Sequence, residues 1–413
     1  MRSGMNKKCC VLVYNSFGDP LFQNIMLPYM RTLVSESGWR FHLITFEQPE
    51  YLIDPTERER INKQLNDEGI MWYPRRHRTG KFLVAKKVLD FSSVGFLLLR
   101  LRAKGVCVLW SFANVAASIA WVYSRLLAYR TIIYSYEPHS EFMRELGLWN
   151  KNSLNYRLLS ALERRAGRDA DYVLTGTQYM VDSLHARGVK GKVYRAPTSA
   201  DHTRFYPDPD ARKTLEAQYK INSADKLILY MGKFGGLYYT YEIFQLFRIL
   251  TDHIPNCRCA VITPNSDDEI TELCKQADFD RSRLIYITHP SLDEIRTWLS
   301  AADLGVSAIP PTPSQKYRSP TKVAEYLMCG LPYITVAGVS EDDLIAREHD
   351  VGIVVNVFSE ESILAMVPTI ANFMRRDRRE MRSRCREVGL AYRGKANVDR
   401  VLSQVFGELE GVC

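Results

Sequence analysis

Two successive series of short apolar runs, each run leading into an amphipathic helical stretch, constrain this chain more than any other feature. In the first half the runs are 9–14, 41–46, 71–73, 106–110, 131–134 and 172–175, with helical stretches that include 21–35, 82–102 and 115–127. In the second half they are 227–231, 260–263, 284–287, 304–308, 333–336 and 352–356, again with helices in the gaps. Uninterrupted apolar runs mark strands buried on both faces, and intervening helices mark parallel connections. The pattern predicts an α/β chain of two Rossmann-like parallel-sheet domains facing each other across a cleft. A length of 413 residues fits two such domains better than one.

Linker chemistry separates the two series. Arg195-Ala196-Pro197-Thr198-Ser199-Ala200-Asp201 is followed by Tyr206-Pro207-Asp208-Pro209-Asp210. The expected division is 1–206, 207–388 and a helical tail, 389–413, that packs back on the first domain. Parallel α/β domains bind ligands just beyond the carboxyl ends of their strands. The informative loops are therefore Asn15-Ser16-Phe17-Gly18-Asp19, Ser111-Phe112-Ala113-Asn114, Ser135-Tyr136-Glu137-Pro138-His139, Gly232-Lys233-Phe234-Gly235-Gly236, Thr288-His289-Pro290 and 309–322.

Charge is uneven. The net charge is +8, yet residues 71–170 hold 17 Lys or Arg against 6 Asp or Glu. The densest part, 71–104, contains Arg75, Arg76, Arg78, Lys81, Lys86, Lys87, Arg100, Arg102 and Lys104. Such a region suits an anionic membrane surface as well as simple solvation. Nucleic acid is not expected, because no matching module accompanies the charge. The nine cysteines form no CxxC and no metal-like spacing, which suits a reducing cytoplasm. The apolar run 9–13 is too short for a secretory signal. The uncharged run 106–123 contains Ser111, Asn114 and Ser118 and divides into a strand and a helix. The expected location is the cytoplasm, with peripheral attachment at the inner face of the membrane.

One stretch carries most of the chemistry: Ser319-Pro320-Thr321-Lys322-Val323-Ala324-Glu325-Tyr326-Leu327-Met328-Cys329-Gly330-Leu331-Pro332. Ser319 is placed to cap a helix with Pro320 at its first position, and Gly330 to end it. The helix start offers free N–H groups, a positive dipole end and the Lys322 ammonium, which together suit a pyrophosphate. Glu325, one turn on, is placed to accept hydrogen bonds from ribose hydroxyls. An ordinary capped helix before a strand has the same local features. Asp267-Asp268 and Asp342-Asp343 read as helix starts, and Ser291-Leu292-Asp293-Glu294 as a capping box.

In combination these segments resemble the retaining glycosyltransferases of family four, which have the two-domain GT-B fold. Segment 319–332 resembles their nucleotide-sugar signature. Residues 189–208, with Asp201 and Phe205, resemble the interdomain stretch, 229–236 the first C-terminal strand and glycine loop, and 292–310 the helix and strand that follow. The first half is matched by Gly18-Asp19-Pro20 and Tyr136-Glu137-Pro138-His139. The resemblance implies that Glu325 binds the donor ribose. It also exposes departures. Tyr317 stands where a sugar-binding Glu is usual, Lys233 where a phosphate-binding Arg is usual, and Tyr238 where a phosphate-binding Lys is usual. These point to a divergent branch of the bacterial surface-polysaccharide type.

The expected donor-binding set is Gly18, Lys233, Gly235, Gly236, His289, Tyr317, Ser319, Thr321, Lys322 and Glu325. His139, Glu137 and Asp19 are the expected catalytic and acceptor-positioning residues. No cofactor and no metal are expected, since two lysines and helix-start amides can neutralise a leaving diphosphate. The partners are a nucleotide-sugar donor and a glycan or lipid-linked acceptor. A nucleotide-sugar epimerase, an inverting transferase and a non-catalytic nucleotide-sugar-binding subunit share the same features. The first two need a committed base; Tyr317 and Tyr238 keep the third open.

Overall fold

The computed structural model describes residues 7–78, 83–135 and 137–411, the side chains of 83–88 excepted. Tyr136 and the side chains of Lys81, Lys86 and Lys87 lie outside the described residues. Two compact units emerge, one formed by residues up to Ala196 together with those from Val398 onward, the other by Pro197–Asn397.

In the first unit seven strands run parallel: β1 (Lys8–Val13), β2 (Arg40–Glu47), β3 (Ile70–Arg76), β4 (Val108–Phe112), β5 (Arg130–Ser135), β6 (Tyr172–Thr175) and β7 (Lys192–Arg195). Their order is β3-β2-β1-β4-β5-β6-β7. Six coincide with the expected apolar runs. The seventh, β7, was not foreseen because it is a half-exposed edge strand, Lys-Val-Tyr-Arg, without an apolar run.

The second unit holds β8 (Lys226–Met231), β9 (Cys257–Ile262), β10 (Leu284–Ile287), β11 (Leu304–Ser307), β12 (Tyr333–Val336) and β13 (Gly352–Val355), in the order β10-β9-β8-β11-β12-β13 and all parallel. All six strands of this half follow the expected runs. The chain winds outward from β8 in one direction, then resumes at β11 on its other side. The gap beyond the carboxyl ends of β8 and β11 is thus the switch point where such sheets take ligands.

The division falls at Pro197, earlier than Pro207, where linker composition placed it. The reason is local pairing. Ala200 forms an isolated parallel bridge with Gly394: its N–H donates to Arg393 O at 3.0 Å, and Lys395 N–H donates to its carbonyl at 3.2 Å. The terminal helical region is also broken differently. The helix Arg378–Arg393 stays with the second unit, whereas Lys395–Glu408 sends Val398, Leu402, Val405 and Phe406 into the core of the first. There the Phe406 ring lies 4.9 Å from Trp39, 5.2 Å from Trp110 and 6.0 Å from Phe41. Ion pairs Lys192–Glu408 at 2.8 Å and Lys7–Glu410 at 2.6 Å flank it.

Among the described residues no helix is long and apolar enough to cross a membrane. The run 106–123 is β4 and the first part of the helix Ala113–Leu127. Asp267 and Asp342 each open a helix, and Ser291 with Glu294 forms the capping box of Leu292–Ala301.

Candidate functional site

The helix Thr321–Met328 packs Val323, Ala324, Tyr326, Leu327 and Met328 into the second core, and Gly330 ends it in the left-handed conformation, φ 76°. Leu331 N–H then donates to Tyr326 O at 2.8 Å. The Tyr326 hydroxyl fixes the helix to the switch point. It accepts from Met231 N–H at 3.2 Å and donates to Val306 O at 3.2 Å, joining the ends of β8 and β11. Gly305 leaves room for its ring; a Cβ there would lie 2.7 Å from it.

The start of this helix corrects the sequence reading. Pro320 occupies the cap position, Thr321 is the first helical residue, and no side chain caps the helix. Ser319 is turned the other way. Its Oγ accepts from Thr198 N–H at 3.0 Å and from the Arg393 guanidinium, while Thr198 Oγ1 donates to Ser319 O at 2.5 Å. Arg393 is 1% exposed and forms an ion pair with Asp342, also 1% exposed. Ser319 is therefore held inside the protein, and its job is to anchor the loop that leads into the helix. The amides of the first turn remain without a side-chain cap, as an anion site requires.

Lys322 projects from that first turn. It is 7% exposed, and its ammonium has no hydrogen-bond partner. The nitrogen lies 4.6 Å from the centre of the Tyr230 ring and 4.8 Å from that of Tyr238, within cation–π range of both. Gly232, φ 143°, opens the space beside it: a Cβ at that position would sit 2.8 Å from Nζ. Burial pushes the Lys322 pKa down to about 8, with Glu325 opposing the shift. Burial likewise pushes the half-buried Glu325 up to about 7, against the pull of Lys322 and Arg204.

The other second-half residues gather less tightly. Lys233 is exposed just after Gly232, its carbonyl accepting from the Tyr230 hydroxyl at 2.6 Å. Gly235 and Gly236 form the turn that brings Tyr238 back, with Tyr238 N–H donating to Gly235 O at 3.1 Å. Thr321 is half-buried at the helix start. Tyr317 is half-buried in the short turn Gln315–Tyr317, with the Lys316 ammonium 5.0 Å above its ring. His289 is exposed after edge strand β10, two strands from β8, and the helix it precedes is capped by Ser291.

No family model matches the chain, and no curated protein matches it by sequence. Solved structures do match. Sucrose-phosphate synthase from Thermosynechococcus elongatus aligns over 98% of this chain and 100% of its own, with a TM-score of 0.71 at 15% identity. Anabaena HepE in complex with UDP aligns over 97% of this chain and 100% of its own, with a TM-score of 0.69 at 12% identity. WaaG, a glycosyltransferase involved in lipopolysaccharide biosynthesis, covers 98% and 99% with a TM-score of 0.67 at 14% identity. The chain has the GT-B fold.

In the first unit the candidates follow β1 and β5. Asp19 is a helix-start residue: its carboxylate accepts from Asn15 Nδ2 at 2.7 Å and from Leu21 N–H at 2.8 Å. Gly18 is accounted for by crowding, since a Cβ there would lie 3.3 Å from Tyr51 O. His139 is the first residue of the helix His139–Glu145, half-buried, with its ring 6.1 Å from Phe142 and 6.3 Å from Trp149. The Glu137 carbonyl accepts from Asn114 Nδ2. Ser140 N–H donates to Glu163 at 3.1 Å, so Glu163 holds the start of the His139 helix, and burial raises its pKa to about 7.

Sequence reasoning missed Tyr230, Tyr238 as a contact of Lys322, and Arg393. Tyr230 sits in a strand that reads as core. Tyr238 reads as a lost charge, yet its ring faces the ammonium. Arg393 lies 74 residues from Ser319, and no local pattern announces the pairing.

Proposed function

We propose that this chain transfers a sugar from a nucleotide-sugar donor to a glycan or lipid-linked acceptor, with retention and without a metal. The observation that carries this reading is the buried, unpartnered Lys322 ammonium beside uncapped helix-start amides at the β8/β11 switch point. A buried ammonium without a hydrogen-bond partner is costly, and a diphosphate supplies the missing acceptor. Lys233 adds a second cation at the loop. As the glycosidic bond breaks, charge builds on the leaving diphosphate, and these groups are already in place to hold it. Glu325 accepts from the ribose hydroxyls. The leaving phosphate itself takes the acceptor proton, and His139 orients the acceptor. Asp19, occupied by Asn15 and a backbone amide, is poorly suited to be the committed base that an epimerase or inverting transferase needs.

The acceptor side of the proposal is a lipid-linked glycan of a cell-surface polysaccharide, met at an anionic membrane. Leu97 and Leu98 are core, but Phe96 is 71% and Leu99 53% exposed on the same helix as Arg100. Co-sedimentation with phosphatidylglycerol vesicles, compared with neutral ones, tests the attachment; equal recovery from both would remove the anionic surface from the proposal.

Nucleotide release from a panel of UDP-, GDP-, ADP- and dTDP-sugars, with membrane lipid extract as acceptor source, tests the activity. UDP donors come first, since HepE was solved with UDP and with UDP-glucose. Release from one donor, lost in Glu325→Ala, is the expected result; release that survives this change, or none from any donor, counts against the assignment. Donor affinity is expected to peak between pH about 7 and about 8. Above about 8 Lys322 loses its proton and binding must restore it. Below about 7 Glu325 gains one and accepts fewer hydrogen bonds. Donor affinity flat from pH 6 to 9 would contradict both roles.

A further inference from the structure

At the opposite end of the second sheet, beside the amino ends of β8, β11 and β12, lies a cavity of about 140 Å³ lined by Lys226, Arg376, Arg378 and Arg382, with Asp225 and Asp303. Both carboxylates are already engaged. Asp225 accepts from Asn222 N–H at 2.8 Å, and Asp303 accepts from Leu227 N–H at 2.8 Å. Arg376 pairs with Asp350 at 2.7 Å. Arg378 donates to the carbonyls of Ala301 and Ala302, at the end of the helix Leu292–Ala301. The neighbouring Arg212 likewise serves backbone carbonyls, at Asn222 and Asp225. The Arg378 Nε, buried without a hydrogen-bond partner, lies 3.7 Å from Asp303, whereas the buried Nη2 of Arg382 has no hydrogen-bond partner and no carboxylate within ion-pair distance among the described residues.

An arginine cannot shed its charge to escape this position. Burial, with Arg378 and Arg212 nearby, lowers its pKa only to about 10, so it stays cationic at neutral pH. With Arg376 held by Asp350 and Arg378 by Asp303, Lys226 and Arg382 are the lining cations that face the space with only Asp225 to balance them. We propose that this cavity binds a phosphate-type oxyanion, with the Arg382 guanidinium as its principal ligand and Lys226 as a second charge. A planar fork facing a tetrahedral oxyanion gives paired, charge-assisted hydrogen bonds. The site is separate from the Lys322 cluster, which lies beyond the carboxyl ends of the same strands.

The test is thermal unfolding of the full chain in inorganic phosphate and, separately, in glycerol phosphate, each against chloride of equal ionic strength. Lys322→Met removes the buried cation at the other end of the sheet, weakening anion binding there, and serves as the background. A saturable rise in melting temperature is expected in that background. The midpoint should weaken about tenfold or more when Arg382→Gln is added. Lys226→Gln provides a second variant at the rim, expected to weaken the midpoint without disturbing the fold. A response to both probes assigns the site to phosphate monoesters; a response to phosphate alone assigns it to the free ion. An equal response with and without Arg382 and Lys226, or none beyond chloride, overturns the proposal.

Discussion

Lys322→Met is expected to make the protein more stable and, at the same time, unable to use its donor. Keeping an ammonium charged where its pKa has fallen to about 8 costs about 3 kcal/mol relative to an exposed lysine. Methionine fills a similar volume between Tyr230, Tyr238 and Gly232 without that penalty. Part of the gain is offset by the lost cation–π contacts and by Glu325, which loses the pull of the Lys322 charge and takes up a proton more readily. A net gain of about 1–3 kcal/mol remains, worth roughly 2–4 °C in melting temperature per kcal/mol for a domain of this size. Turnover should fall about 100- to 1,000-fold, because the charge that meets the leaving diphosphate is gone. The sign of the stability change decides the matter. If Lys322 merely supported the fold, its removal would lower the melting temperature and leave donor affinity alone.

Arg393→Met should have the reverse effect on stability. The guanidinium forms a buried ion pair with Asp342, and it also bonds Ser319 and Thr198. Removing one member of so buried a pair costs about 3–5 kcal/mol, since the other is left charged in an apolar setting. Burial already raises the Asp342 pKa, and Arg393 is what holds it down. In the variant it rises further. The folded state then binds a proton that the unfolded chain does not, so the deficit should narrow as pH falls through the raised range. Adding Asp342→Leu should restore most of the loss. Because Ser319 leads directly into the helix of Lys322, donor KM should rise in Arg393→Met even where the protein is fully folded. A melting temperature within a degree of wild type at pH 8 would refute this account.

Legibility in the sequence followed the range of the interactions. Buried strands advertise themselves through uninterrupted apolar runs, so β8 to β13 were readable one by one, and the exposed β7 was not. The helix of Lys322 and Glu325 was readable to within one residue, because Gly330 and the apolar face of 323–328 are local signals. Its start was misread at Ser319, whose hydroxyl is claimed by Thr198 and Arg393 from distant parts of the chain. The same limit applies to Tyr238. A missing lysine is visible in a sequence; a ring that meets the ammonium from another element is not. In the first unit, Asp19 had a turn role and a ligand role available, and the carboxylate takes up the turn role through two short bonds to its neighbours.

The helix Lys395–Glu408 has a consequence for biosynthesis. It brings Phe406 against Trp39, Phe41 and Trp110, so the first unit to leave the ribosome lacks part of its interior until this helix, which follows the second unit, has been made. The second unit, contained in Pro197–Asn397, is contiguous and meets no such delay. The usual amino-to-carboxyl order of domain maturation is therefore inverted: the later-translated unit can close first, while the earlier one waits with aromatic surface uncovered. During that interval the nascent protein presents the kind of apolar surface that chaperones bind, and elongation speed through the second unit and the helix Lys395–Glu408 sets how long the exposure lasts.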